Sequence, residues 1–505
     1  MKILDCTLRD GGYYTNWDFN EDLTNSYFKL VKDLPIDIVE VGYRGNKNKK
    51  SYLGEYYFLT IDKIQKIKKI IGKKKISIMI DLKDWNDPIE LKKNITDCKN
   101  LVNMIRFAID PRKIEKSKNF LKITKKLGFV VAANLMYSHL LLENDKLISN
   151  IEKIKKYVDI FYIVDSYGSF ISGDVSKIIN KLRTRYKRIN LGFHSHNNLE
   201  LALSNSVEAM NLQINYLDCT FSGMGRGAGN LRTELLLSYL GIKKKVLKIN
   251  NLNNIGKVIE MFEILKEKEK WGSSLPYMVS GSTNTAQGKV MQLIKSKRYN
   301  MQDIISSLFN KNKYLNKINK TLNITKKRIL IIGGGSSVRS KKTYLNDFLK
   351  LNSDIYVIFS SSRNLQEFDI NKNKSIVCIT GNEINKISNS KLNRYNFLIN
   401  DKINIKTIIP KQKTNFSRLK KNICNKEIND SPLAISLAAA LEIKAKEIYL
   451  AGFDGFEKTS EINNYNLFNE NQKIFDFYQN RLNLIFITDT KYEVKNKSSI
   501  YKYLK

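Results

Sequence analysis

A chain of 505 residues is too long for one ordinary domain, and its hydrophobic fraction of 42% is enough for two or three cores. The net charge of +37 does not mark a nucleic-acid binder, because only 16 of the 86 basic residues are arginine and the remaining 70 lysines are spread along the whole chain rather than gathered in a patch. No apolar run reaches the roughly 18 residues of a membrane span, the opening MKILDCTLRD is unlike a secretory signal, and the five scattered cysteines (Cys6, Cys98, Cys219, Cys378, Cys424) fit reduced thiols in a cytoplasmic protein.

Taken in order, the first 225 or so residues repeat one unit, a short β-branched run followed by a lysine-rich amphipathic helix. The runs are 2–9, 37–44, 75–81, 104–110, 129–137, 160–168, 189–196 and 214–223, and DVSKIINKLRTRY (174–186) shows the helical period between two of them. Eight such units predict an α/β fold that closes as a TIM (β/α)8 barrel, with its active site at the C-terminal strand ends. The barrel is expected over 1–232, a helical extension over 233–310 that caps it or makes an oligomer contact, a linker over 311–327, and a second α/β domain over 328–505.

The predicted strand ends are crowded with polar residues. Strand 1 ends in Arg9-Asp10-Gly11-Gly12, strand 2 carries Glu40, and strand 4 carries Arg106. Strand 5 offers Asn134, Tyr137 and then His139, and strand 6 ends in Asp165-Ser166. Strand 7 holds His194 and His196, two of only three histidines in the chain. Side chains alternate along a strand, so an H-x-H pair points both imidazoles to one face. With Asp10 the pair makes an O,N,N set suited to Mn²⁺, or to Mg²⁺, Co²⁺ or Zn²⁺. Strand 8 runs into GMGRGAGN (223–230), where Gly225 and Gly227 could present backbone N–H groups to an anionic substrate. Asn230 either caps the following helix or turns inward as a fourth ligand.

The motifs DCTLRDGG (5–12), HSH (194–196) and GMGRGAGN (223–230) together resemble the DRE-TIM metallolyase family. NLMYSHL (134–140) is similar to a turn of its 4-hydroxy-2-oxovalerate aldolases. The resemblance covers about residues 1–300. It implies that Asp10, His194 and His196, with Asn230, bind a divalent metal that chelates a 2-oxo acid. It also implies that Arg9 stabilises a pyruvate-type enolate and that Glu40 orients Arg9. Asp165, Ser166, Gly225 and Gly227 are expected to line the substrate. The implied partners are a 2-oxo acid and an aldehyde, and a homo-oligomer is expected. One departure is that the aldolases carry an acid/base histidine just after the Arg-Asp-Gly turn, where this chain has Gly12-Tyr13-Tyr14. Tyr13, Tyr14 or His139 would have to move the proton. The Gly-rich loop has no cysteine, which counts against a CoA-thioester lyase. The alternatives are a Claisen-type acyl-CoA condensing enzyme of the same family, or a scaffold that carries a nucleotide-sugar module.

The second domain opens with RILIIGGGSSV (328–338), a strand entering a Gly-rich turn. A nucleotide or nucleotide-sugar is expected at Gly333, Gly334, Gly335, Ser336 and Ser337. NAD is not expected, because the next strand, DIYVIFSSS (354–362), lacks a terminal acid for the ribose. This region resembles Rossmann-like sialyltransferase or pterin-pyrophosphokinase domains, which implies a role in surface-polysaccharide metabolism.

Overall fold

Runs rich in Ile, Val and Phe that are buried on both faces form parallel strands, and the amphipathic segments between them supply the cover. The computed structural model describes residues 1–46, 53–244, 249–309, 321–381, 383, 394–399, 415–419, 431–456 and 462–504. It divides into two compact units, Met1–Gln292 and Leu293–Lys505. In the first, eight strands close into a parallel barrel in sequence order. They are β1 (Lys2–Asp5), β2 (Ile38–Tyr43), β3 (Lys75–Ile80), β4 (Met104–Ile109), β5 (Val130–Leu135), β6 (Ile160–Asp165), β7 (Leu191–Ser195) and β8 (Tyr216–Cys219). The expected eight-stranded α/β barrel is therefore the fold of this unit. Because the barrel is closed, β8 separates β7 from β1 and brings the histidine strand near the Arg9-Asp10 segment.

The barrel interior is layered by the two-residue period of its strands. Leu4, Ile38, Met104, Ala132 and Ile160 form part of an apolar cluster. Two residues further along their strands stand Cys6, Glu40, Arg106, Asn134 and Tyr162, all buried. Tyr216 is followed in the same way by Asp218, and Gly192 by His194 and then His196. A polar layer therefore lies directly on an apolar one, toward the C-terminal strand ends.

The first expected strand is corrected. The run 2–9 predicts a strand through Arg9, but β1 ends at Asp5 and a helix runs over Thr7–Thr15. Asp5 turns the chain, its carboxylate accepting from the Thr7 backbone N–H at 3.0 Å and from the hydroxyls of Thr7 and Thr233 at 2.7 Å each. Two glycines inside a nine-residue helix argue against it on propensity. Tertiary contact decides otherwise: a Cβ on Gly11 would lie 2.6 Å from the Met224 sulfur, and one on Gly12 would lie 2.2 Å from the Trp17 indole.

In the second unit seven strands form one parallel sheet in the order β13-β12-β11-β10-β9-β14-β15. They are β9 (Arg328–Ile332), β10 (Tyr356–Phe359), β11 (Ser375–Cys378), β12 (Phe397–Ile399), β13 (Phe416–Arg418), β14 (Glu447–Ala451) and β15 (Leu484–Phe486). Apolar clusters cover both faces of this sheet. The expected linker lies mostly outside the described residues, as does Cys424; the other four cysteines are buried and unbridged. Among the described residues no helix is long and apolar enough to cross a membrane.

The expected phosphate cradle after β9 takes a different form. The Gly333 and Gly335 N–H groups are spent on the Ala451 and Gly452 carbonyls. Asp454 accepts from the Ser337 N–H at 2.9 Å and from the Ser336 hydroxyl at 3.3 Å, and its carboxyl lies 2.6 Å from where a Cβ of Gly335 would stand. A side-chain carboxylate already holds the turn, so a phosphate seated at Gly333–Ser337 would meet a like charge.

A candidate metal centre at the barrel mouth

The polar layer ends in a buried set of donors. One ligand atom each from Asp10, His194 and His196 lies within 4.8 Å of the others. Asp10 reaches the site from the helix Thr7–Thr15, His194 from inside β7, and His196 from the residue just past it. Each imidazole is oriented by its Nδ1. In His194 that atom faces Asp218 Oδ2 at 2.8 Å, and in His196 it faces the Asp165 carbonyl at 2.7 Å. A carbonyl can only accept, so His196 Nδ1 carries the proton and its Nε2 keeps a lone pair. The carboxylate on His194 favours the same tautomer. Both Nε2 atoms are thus free to bind a cation, the usual arrangement behind metal-bound histidines.

Burial pushes His196 down to about 4, with His194 adding to the effect, so its ring is neutral near pH 7. Burial alone would raise Asp10, but the Arg9 guanidinium beside it holds its carboxyl well below the usual carboxylate range. Asn230 turns inward rather than capping the next helix. Its Nδ2 donates to Asp10 Oδ2, and its Oδ1 is buried without a hydrogen-bond partner. That orphaned oxygen, two aligned imidazoles and a charged carboxylate fit a divalent cation. A second donor set, Cys6, His194 and Asp218, fits less well. Burial pushes the Cys6 thiol up and away from the thiolate a metal needs, and Asp218 is committed to Arg106 and His194.

Behind the donors runs a buried ionic chain. Arg9 Nη1 pairs with Asp10, and Arg9 Nε with Glu40 Oε2 at 2.6 Å. The same Glu40 oxygen takes Arg106 Nη1 at 3.2 Å, and Arg106 Nη2 pairs with Asp218 at 2.5 Å. Arg106 also donates from Nε to Asn134 Oδ1 at 3.1 Å and sits 4.0 Å from the Tyr162 ring centroid. Two guanidiniums against three carboxylates leave one net negative charge. A divalent ion would invert that to one net positive charge, and an anionic substrate would neutralise it.

Other expected residues are placed as follows. Asp165 is buried, and burial pushes it up to about 7; its carboxylate accepts from the Ser169 and Phe170 N–H groups at 3.0 and 3.1 Å. It holds the loop after β6, while its carbonyl orients His196. Ser166 Oγ accepts from the Tyr137 N–H at 2.8 Å. Gly225 leaves room for Asn230, whose Nδ2 would lie 2.5 Å from a Cβ there. The Gly227 carbonyl accepts from the Tyr14 hydroxyl at 2.8 Å, which ties Tyr14 into the packing. Tyr13 is one helical turn from Arg9 and Asp10 on the same face, with its hydroxyl 3.4 Å from that of Tyr43.

His139 does not join the other two histidines. It opens the helix His139–Glu143, and its ring lies 4.6 Å from that of Tyr167. Burial lowers its pKa, and the charges acting on it are Glu143 and Arg112 rather than Asp10. Asp218, which sequence reasoning missed, has a legible signal: an acid in the apolar run YLDC, at the same strand height as Glu40 and Arg106.

The close seat of Gly12 makes a prediction. Gly12→Ala should drive a methyl into the Trp17 ring, displace the helix that carries Arg9 and Asp10, and cost about 1–3 kcal/mol of barrel stability. Urea unfolding read by tryptophan fluorescence checks it, and an unchanged midpoint would contradict the packing described.

The barrel is similar to known proteins. A 4-hydroxy-2-oxovalerate aldolase of Geobacillus genomosp. 3 is 27% identical over 243 residues, 48% of this chain and 70% of the relative. An oxaloacetate decarboxylase of Mycobacterium tuberculosis is 26% identical over 243 residues, 47% and 69% of the two chains. Among solved structures, the N-terminal domain of a provisionally named aldolase from Bacteroides vulgatus is 41% identical with a TM-score of 0.56, covering 61% of this chain and 100% of that one. The HMGL-like family model matches residues 1–262, more than half of the sequence, and the chain belongs to the HMGL-like family, the DRE-TIM group of lyases and condensing enzymes.

Proposed function

We propose that the barrel unit is a divalent-metal-dependent carbon–carbon lyase that cleaves, or in reverse forms, the bond beside a 2-oxo acid through a pyruvate-type enolate. The observation that carries this reading is the convergence of Asp10, His194 and His196 on one point, with both histidine Nδ1 atoms engaged behind them. Those three residues, with Asn230, would hold the ion, Mn²⁺ first among the choices. When bound, it supplies Lewis-acid chemistry to the carboxylate and ketone oxygens of the substrate.

The chain's own residues do the rest. Arg9 is held rigid by Glu40 and Asp10 through Nε and Nη1, which leaves Nη2 for an oxyanion. In the cleavage direction the 4-hydroxyl proton passes to a base and the C3–C4 bond breaks. Its electron pair moves toward C2, giving an enolate opposite Arg9 and a free aldehyde. Protonation at C3 then completes pyruvate. Tyr13, on the helix face of Arg9 and Asp10, is the group proposed to hold that proton. The Tyr43, Tyr57 and Trp17 rings pack around it and limit water, with Trp17 4.9 Å from Tyr13 and 5.0 Å from Tyr57.

A screen tests the reading. With Mn²⁺ added, a panel of 4-hydroxy-2-oxo acids and oxaloacetate should include at least one substrate that yields pyruvate, and a chelator should remove the activity. No pyruvate from any member, with Mn²⁺, Mg²⁺, Co²⁺ or Zn²⁺ bound, would sink it. Release of free thiol from acetyl-CoA instead would identify the condensing alternative.

A further inference from the structure

The Gly-rich loop carries one charged side chain that stands apart from the donor set and its ionic chain. Arg226 stands in the middle of GMGRGAGN, and its guanidinium lies 4.7 Å from the centroid of the Tyr13 ring. Its Nε is buried without a hydrogen-bond partner, and the side chain forms no ion pair with any described residue. A glycine of the helix Gln287–Ser296 makes room for it: a Cβ on Gly288 would lie 2.7 Å from Arg226 Nη2. The phenols of Tyr13, Tyr137 and Tyr43 and the carboxylate of Asp10 lie in its field. Stacking on an aromatic ring offsets part of the cost of burying a guanidinium, but it satisfies none of the five N–H donors. A planar cation left with open donors at the mouth of a site is suited to a bidentate anion, carboxylate or phosphate.

Charge balance points the same way. The ionic chain with a divalent ion stands at one net positive charge, which a single carboxylate neutralises. Arg226 adds one more positive charge, and a second anionic group on the substrate would close the balance. Along the helix Thr7–Thr15 the order is Arg9, Asp10, Tyr13, and Arg226 covers the last of these. A group that reaches Arg226 therefore belongs to the end of the substrate beyond Tyr13, the aldehyde-derived half.

We infer that Arg226 forms an anion subsite, and that the aldehyde partner of this enzyme carries a carboxylate or a phosphate. The inference rests on the lyase reading for the word aldehyde, but not for the subsite, so two experiments separate them. Calorimetric titration of inorganic phosphate and of acetate into the metal-free protein should show binding of at least one, lost in Arg226→Gln and partly kept in Arg226→Lys. Equal binding, or equal lack of binding, by wild type and Arg226→Gln overturns the subsite.

In the second experiment pyruvate and Mn²⁺ are combined with acetaldehyde, glyoxylate or glycolaldehyde phosphate. One of the two anionic acceptors should exceed acetaldehyde in kcat/KM by on the order of 100-fold. Arg226→Gln should remove that preference mainly through KM, with its fold checked by melting temperature. A preference for glyoxylate assigns a carboxylate, and one for glycolaldehyde phosphate assigns a phosphate. Equal use of all three by the wild type, or an unchanged ratio in Arg226→Gln, overturns the specificity. Failure of the wild type to exchange the pyruvate methyl hydrogens with deuterated water would instead be a failure of the lyase reading.

Discussion

Asp10→Asn and His194→Ala should each lower pyruvate release by about a thousand-fold or more, because each removes a donor from the cation on which charge stabilisation depends. Asp10→Asn is the sharper of the two. It keeps the shape of the side chain and its contact with Asn230, and it leaves Arg9 paired with Glu40 at 2.6 Å. What it removes is a charge that Arg9 holds ionised despite burial. His194→Ala takes away a ring and leaves Asp218 facing a void on one side, with Arg106 still on the other. Asp218→Asn offers a graded contrast. Of the metal-site residues it touches only the far nitrogen of His194, its other partner being Arg106, and changes behind a ligand cost about 10–100-fold. The measurements are kcat for pyruvate release and metal content after gel filtration. Normal turnover by Asp10→Asn or His194→Ala would end the metal mechanism, whatever the contents of the site.

The barrel and its histidine pair were open to sequence reading because both rest on short periods. Strand alternation makes H-x-H a same-face pair without any knowledge of the fold, and eight repeated units leave few other architectures. The helix that carries Arg9 and Asp10 was hidden, because Gly11 and Gly12 lower helix propensity and only the approach of Met224 and Trp17 explains them. Asn230 stood equally between cap and ligand, since the choice depends on the Gly223 carbonyl and on Asn197, which pin the loop beside His196 through bonds far apart in sequence. A strand-end position likewise says which end of the barrel His139 occupies, not which neighbours its ring meets, and the one it meets is Tyr167. The turn at Gly333–Ser337 has the glycines of a phosphate cradle, but the carboxylate that accepts its Ser337 N–H comes from Asp454, more than a hundred residues away and beyond the reach of a local motif.

Glu40→Gln should be the most destabilising single change in the barrel that leaves its shape intact. Glu40 is fully buried, and one of its oxygens takes both Arg9 and Arg106, at 2.6 and 3.2 Å. The amide is the same size, so no cavity opens. It removes a negative charge between two guanidiniums that cannot deprotonate. Breaking a buried pair in this way costs about 3–5 kcal/mol, a large share of the roughly 5–15 kcal/mol that holds a domain together. Exposed pairs set the comparison. Lys153 and Glu115 meet at 3.0 Å, but their side chains are 49% and 58% exposed, and Glu115→Gln should cost no more than about 1 kcal/mol. The protein is well placed for the measurement, because all three tryptophans, Trp17, Trp85 and Trp271, belong to the first unit. Their fluorescence in urea follows the barrel alone, without the second unit's transition. If Glu40→Gln and Glu115→Gln unfold at the same midpoint, the ionic chain is not what holds the polar layer together. If Glu40→Gln falls well below, the residual activity of the folded fraction then shows how far Arg9 depends on Glu40 for its aim.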